Sequence, residues 1–226
     1  GLADYEVRIG HVGVLRDILS GLGLSSKGEP ESPIASAMRF LDKGDWDGLS
    51  ELFEANGVAV SSLENLKSLA QLDGGIETLD SAREILTALG VSLDSLDELS
   101  ELLSAVSSLA PSPPSLKVNL CVARGLDYYT GMVFEVNVAE LGGEGQVLGG
   151  GSYKLLHLFG MEDLDPSCGF GLGFDRVLLA LEAQAARLGR SEVVPGETPI
   201  PSTLVLPFKV DAHSVLDVVR GLRESG

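Results

Sequence analysis

Cysteine is nearly absent: Cys121 and Cys168 are the only two among 226 residues. Far apart and without metal-ligand spacing, they argue against a disulfide framework and suit reduced thiols in a cytoplasm-like compartment. Histidine is as sparse. His11, His157 and His213 fall in different segments with no i,i+4 pair, so no metal centre is expected. No stretch approaches the roughly 18 consecutive apolar residues that read as a membrane-spanning helix. Gly1–Glu6 shows no basic region followed by an apolar one, so no secretory signal is visible. Positive charge is also scarce: 16 Lys and Arg face 33 Asp and Glu, for a net charge of -17. Such a balance opposes broad attraction to nucleic-acid phosphates. The deficit is local, because residues 28–110 hold 16 acidic and 4 basic side chains while the remainder holds 17 and 12. If the protein meets RNA, this acidic stretch is a poor contact surface unless Arg39, Lys43, Lys67 or Arg83 forms a local basic exception.

What is present, at 44% hydrophobic, can bury more than one domain's core. Tyr5-Glu6-Val7-Arg8-Ile9 alternates as a half-buried strand does, and Val14, Leu15, Ile18, Leu19 and Leu22 follow at helical spacing. From about Pro33 to Leu109 the periodicity is helical throughout, which predicts a small bundle of four or five helices with Trp46 anchoring its core. Ser61 with Glu64, and Ser95 with Glu98, have capping-box spacing, and Gly57, Gly74-Gly75 and Gly90 fall where helices would end. Ala110-Pro111-Ser112-Pro113-Pro114 closes the bundle as a stiff linker. The pattern then becomes β. Leu116–Val122 and Met132–Val138 both alternate, with Gly125–Gly131 expected as the turn joining them. Phe170–Gln184 reads as a strand entering an amphipathic helix, and Thr203–Pro207 with Ala212–Leu222 begins a further βα unit. The expected class is α+β, an antiparallel sheet with helices interrupted by an all-α insertion, rather than a parallel doubly wound sheet.

Three segments carry candidate chemistry. Arg124-Gly125-Leu126-Asp127-Tyr128-Tyr129-Thr130-Gly131 gathers a cation, a carboxylate and two phenols in one short stretch. The planar arginine fork suits phosphate oxygens, and tyrosine offers an apolar face with a polar tip to a small aromatic ligand. A structural hairpin with an Arg124–Asp127 pair fits the same residues. Gly149-Gly150-Gly151-Ser152-Tyr153 lets backbone pass close under a ligand, or forms a flexible hairpin around one core tyrosine. It is neither a P-loop, lacking a following Lys-Ser/Thr, nor a dinucleotide fingerprint. In Gly169-Phe170-Gly171-Leu172-Gly173-Phe174-Asp175-Arg176 the alternating glycines indicate something packed on a strand's backbone. Arg176 at the strand–helix junction can reach a phosphate-sized anion, or can form a surface pair with Asp175.

In this order and spacing the segments resemble histidyl-tRNA synthetase. Arg124–Gly131 followed by Val133-Phe134-Glu135 is similar to the family's histidine-binding loop almost letter for letter. Gly150-Gly151-Ser152-Tyr153 is similar to its Gly-Gly-Arg-Tyr-Asp element, with Ser152 and Lys154 in place of Arg and Asp. Gly171–Arg176 resembles class II motif 3, with Asp175 where Glu is usual. The resemblance implies a partial class II synthetase-like catalytic core over 1–26 and 114–190. It further implies a helical insertion domain over 27–113, and the first βα unit of an anticodon-binding domain over 199–226. It also implies roles: Arg124 on the α-phosphate of ATP as the catalytic cation, and Tyr128, Tyr129, Gly150 and Tyr153 around histidine. Gly173 and Arg176 would contact ATP, Arg176 at its γ-phosphate. The implied partners are histidine, ATP with Mg2+ and tRNA(His), in a homodimeric cytoplasmic enzyme. In this family the insertion approaches the tRNA acceptor arm, which its acidity here contradicts unless a basic patch forms.

The sequence departs from the family by lacking recognisable motifs 1 and 2, the upstream acidic contact to the imidazole, and the rest of the anticodon-binding domain. The chain alone is therefore expected not to aminoacylate tRNA. The alternative is a histidine-sensing regulatory paralogue, like the synthetase-like subunit of ATP phosphoribosyltransferase. Two phosphate-directed arginines favour the enzyme, whereas Ser152 and Lys154 favour the sensor. A pure interaction module built on the acidic stretch explains none of the three segments.

Overall fold

The computed structural model describes residues 2–27, 31–59, 61–72, 74–109, 115–121, 128–161, 167–189, 205 and 212–225. Strand β1 (Glu6–His11) passes directly into helix α1 (Val12–Gly21). His11 makes this abrupt junction possible: its backbone is extended and its ring accepts the Gly13 N–H, which α1 itself cannot satisfy. The apolar stripe of α1, Val14, Leu15, Ile18 and Leu19, is completely buried, as its spacing predicts.

Five helices follow: α2 (Pro33–Lys43), α3 (Trp46–Ala55), α4 (Ser61–Ala70), α5 (Thr78–Leu89) and α6 (Asp94–Leu109). Ser32 caps α2 by accepting from the Ala35 N–H, with Pro33 in the first turn where its missing donor costs nothing. Gly44 and Gly90 end α2 and α5 in the left-handed conformation, both at φ 66°. The capping box expected at Ser95 is not formed. Helix α6 starts one residue earlier, and the Ser95 hydroxyl donates to Asp17 on α1 at 2.7 Å. Ser92 takes the local role by accepting the Asp94 N–H. The carboxylate on α1 is the stronger partner, so a tertiary contact displaces the local one. Leu49, Phe53, Leu66, Leu86, Leu96, Leu99 and Leu103 fill the interior of the bundle. They form one continuous cluster with Ile9, the α1 stripe, Val118 and Leu120, and Trp46 packs on it partly buried.

The sheet holds β2 (Ser115–Val118), β1, β3 (Tyr129–Asn137), β4 (Gln146–Tyr153) and β5 (Ser167–Leu172), in that spatial order. It is mixed: β1 pairs parallel with β2 and antiparallel with β3, and the remaining pairs are antiparallel. This corrects the expected β2–β3 hairpin. Strand β1 lies between them, because both of its edges carry backbone groups that need partners and each neighbour satisfies one. The strand expected to reach Val122 ends at Val118, where Asn119 accepts the Cys121 N–H and turns the chain. Gly149–Gly151, read in one alternative as part of a flexible hairpin, sits within β4 and is paired on both sides.

Helix α7 (Phe174–Arg187) packs Val177 and Ala180 against Val138, Val147 and Leu148. Its buried Gln184 accepts the Ala3 N–H and donates to the Asp4 carbonyl, fastening the start of the chain. Helix α8 (Ala212–Ser225) lies against α6. Most of Thr203–Pro207 lies outside the described residues, as does the Pro111–Pro114 linker. Among the described residues, β5 pairs only with β4. Phe170, Leu172, Phe174 and Leu179 near it are 68%, 51%, 74% and 54% exposed. No helix among the described residues is long and apolar enough to cross a membrane.

Candidate active site

Residues paired across neighbouring strands share a face of the sheet. The registers therefore stack three rows over β3, β4 and β5: Tyr129, Tyr153 and Ser167; Val133, Gly151 and Gly169; Glu135, Gly149 and Gly171. Strand β1 extends the last two with Gly10 and Arg8. Gly149, Gly151, Gly169 and Gly171 thus line a strip in these rows, bounded at one end by two tyrosines; the Gln146 amide lies over Gly149, where a Cβ would stand 2.5 Å from its nitrogen. The alternating glycines that the sequence reading singled out in β5 meet their counterparts in β4. A Cβ at Gly151 would collide with the Met132 carbonyl, and one at Gly169 would come within 2.8 Å of the Tyr153 hydroxyl. At Gly171 a Cβ would meet nothing within 4 Å among the described residues, which leave the floor open there. Gly150 is bare for another reason: a side chain would run into the Gly169 carbonyl and Phe170, so its glycine lets β4 and β5 approach.

Tyr128, Tyr129 and Tyr153 form a compact aromatic trio. Ring centroids lie 4.7 Å apart for Tyr128–Tyr129, 5.7 Å for Tyr128–Tyr153 and 6.5 Å for Tyr129–Tyr153, with tilted or edge-on planes. These are favourable aromatic geometries. Val12 and Val133 back the nearly buried Tyr129. Two of the three predicted segments therefore supply one aromatic wall.

The third segment meets the other end of the floor. The Gly173 N–H donates to the Val147 carbonyl at 2.9 Å, pinning the strand–helix junction to β4. Arg176, in the first turn of α7, donates from Nη1 to the Gln146 carbonyl at 3.0 Å. Gln146 and Tyr153 are the two ends of β4, about 23 Å apart at a strand's rise per residue. The guanidinium and the aromatic wall thus bracket the glycine floor. Arg124 lies outside the described residues.

Two polar residues, one in the floor rows and one on the opposite face of the sheet, were not singled out as site residues by the sequence reading. Glu135 is a carboxylate only 7% exposed, in the row with Gly149 and Gly171. Its signal was a charge in the inward phase of an alternating strand. His11 is 3% exposed at the β1–α1 junction, and burial holds its pKa below the ordinary 6.5, with Glu98 and Asp17 pulling the other way. Its signal was a histidine placed without a loop between a strand pattern and a helical stripe. Cys121 is chemically quiet, its thiol pushed up to about 12 by burial.

Residues 1–177 match the family model described as histidyl-tRNA synthetase. The chain belongs to that family. It is 36% identical over 223 residues to the histidine–tRNA ligase of Archaeoglobus fulgidus, covering 99% of this chain and 47% of the relative. To that of Methanococcus vannielii it is 38% identical over 231 residues, covering 99% and 49%. The chain therefore spans about half the length of these curated histidine–tRNA ligases. The solved histidyl-tRNA synthetase of Nostoc sp. PCC 7120 superposes with a TM-score of 0.65 at 23% identity, over 84% of this chain and 43% of that one. A Bacillus halodurans structure named as ATP phosphoribosyltransferase regulatory subunit/histidyl-tRNA synthetase gives 0.54 at 26% identity, over 81% and 45%. The α+β class with a class II synthetase fold, and membership of an aminoacyl-tRNA ligase family, stand on these likenesses.

Proposed function

We propose that this chain carries the histidine-recognising part of a histidine–tRNA ligase catalytic domain and acts within a larger assembly. The supporting observation is the aromatic wall of Tyr128, Tyr129 and Tyr153 at one end of a glycine-lined strip, with Arg176 at the other. A flat substrate can approach the backbone where the strip is uncovered, at Gly171, while two tyrosines frame an imidazole and offer it hydroxyl partners. In this reading the carboxylate of histidine attacks the α-phosphorus of ATP, pyrophosphate leaves, and tRNA(His) accepts the histidyl group from the adenylate. Arg124 stabilises charge as it develops at the α-phosphate, and Arg176 holds the γ-phosphate with Mg2+ sharing its charge. Gly173 keeps backbone close to the nucleotide, and Gly150 acts through the β4–β5 spacing.

The exposed apolar strip on β5 and α7 is where the rest of such a catalytic domain packs. The same reading makes the protein a cytoplasmic homodimer in its complete form. The helical insert offers RNA little: Lys67 pairs with Glu64, and Arg83 with Asp97. Histidine-dependent exchange of pyrophosphate into ATP, with the remainder of the domain supplied, is the test. Arg124→Ala should lower exchange by about a hundredfold to a thousandfold while leaving part of the histidine binding, and unchanged exchange would rule out its phosphate role. Histidine binding without exchange would favour a regulatory paralogue, the reading supported by Ser152, Lys154 and the Bacillus halodurans likeness.

A further inference from the structure

The proposed chemistry leaves the buried His11 unused, although its two ring nitrogens are in distinct surroundings. Nδ1 accepts the Gly13 N–H at 3.1 Å, so in the neutral ring the proton resides on Nε2. Among the described residues Nε2 makes no hydrogen bond within the usual limits. A carboxylate oxygen of Glu98 on α6 lies 3.4 Å from it. A Cβ at Gly131 would stand 3.7 Å from Nε2 and 3.1 Å from the Cβ of Ser152, which is on the face of the sheet opposite Tyr153. The Nε2–H group is therefore next to both the helical insert and the backbone at Gly131, reaching the segment that carries Tyr129 from the face opposite the aromatic wall.

Helix α6 is seated closely at this corner. A Cβ at Gly13 would collide with the Ser95 hydroxyl, which itself donates to Asp17. A Cβ at Gly21 would collide with Val91, just before α6. Two glycines on α1 thus bring the insert into contact at both ends of that helix, and packed elements in such contact move together. The Glu98 side chain is 69% exposed, so it reaches His11 from the rim and can be released without emptying a core.

We propose that His11 is a positioning residue that ties the seating of the helical insert, through Glu98, to the shape of the histidine pocket at Gly131. For its ligand the proposal rests on the histidine-pocket reading. The mechanical link between α6 and Gly131 does not depend on it.

The test uses the whole 226-residue chain with two readouts: the backbone amide resonance of Gly131 and calorimetric affinity for free histidine. Glu98→Ala removes the tether at an exposed helical site. It should shift the Gly131 resonance and weaken histidine about threefold to tenfold, the range of couplings carried through packed networks. Glu98→Gln keeps an acceptor for Nε2–H and should restore both. His11→Asn keeps a side-chain cap for α1 but cannot reach Glu98, so it separates capping from tethering. Combined with Glu98→Ala it should add little to either single change. Fully additive effects, or an unmoved Gly131 resonance in Glu98→Ala, would overturn the proposal. If Gly131 responds as expected but wild-type chain takes up no histidine, the tether holds and the ligand assignment fails.

Discussion

His11 links stability to pH through one side chain. In the native fold its pKa is lowered by burial, against the opposing pull of Glu98 and Asp17, while the unfolded chain keeps the ordinary 6.5. As pH falls through 6.5 the unfolded state takes up the proton first, so stability declines from neutral pH downward until native His11 also protonates. His11→Asn should therefore flatten the dependence of Tm on pH between about 7 and 5.5, measured by thermal unfolding at several pH values. Equal slopes would show that other groups set it. Tyr153 gives a complementary prediction. Tyr153→Phe keeps the ring against Tyr128 but loses the hydroxyl, and should weaken histidine binding about fivefold to tenfold with little change in Tm. The tyrosines were legible in the sequence because their ring-and-hydroxyl chemistry is unusual in a short loop. His11 was legible only as a lone histidine, since its capping and tethering exist only once β1, α1 and α6 have met.

The glycines of β4 and β5 separate two kinds of necessity. Gly151→Ala must push against the Met132 carbonyl and should destabilise by about 1–3 kcal/mol. Gly171→Ala meets nothing within 4 Å among the described residues and should change stability by less than about 0.5 kcal/mol; on the proposed reading, with ATP over this strip, it should instead impair ATP use. Denaturant melts of the two variants, and pyrophosphate exchange with the remainder of the domain supplied, decide this, and normal exchange with Gly171→Ala would remove ATP from that part of the sheet. Period-two glycine in β5 was readable from sequence, but its alignment with Gly149 and Gly151 was not, because register is fixed by cross-strand pairing. The β2–β3 hairpin failed for a related reason. Each strand's pattern was correct, yet nothing local records that β1, more than a hundred residues before β3, takes the place between them.

At the scale of the whole molecule, the interior crosses the boundary that composition suggests. The shift near Pro33 lies in surface charge, whereas the Leu-rich core runs unbroken from α1 through α6 to Val118. Leu15→Ala, at a completely buried position, should cost about 2–5 kcal/mol. It should lower the transition reported by Trp46, on helix α3, as much as that reported by sheet amides. Two separate transitions in wild type would contradict a shared core. The helices and the α+β class were legible because periodicity is local, and the common core was not because it depends on how helix faces meet. The sandwiching of β1 between β2 and β3 has a consequence in time as well as space. Local contacts can assemble the helices early, but β1 cannot acquire either neighbour until about a hundred residues have been brought into place. During refolding, Trp46 fluorescence should recover before the β1–β2 amides gain protection from exchange, leaving the sheet as the last part of the molecule to form.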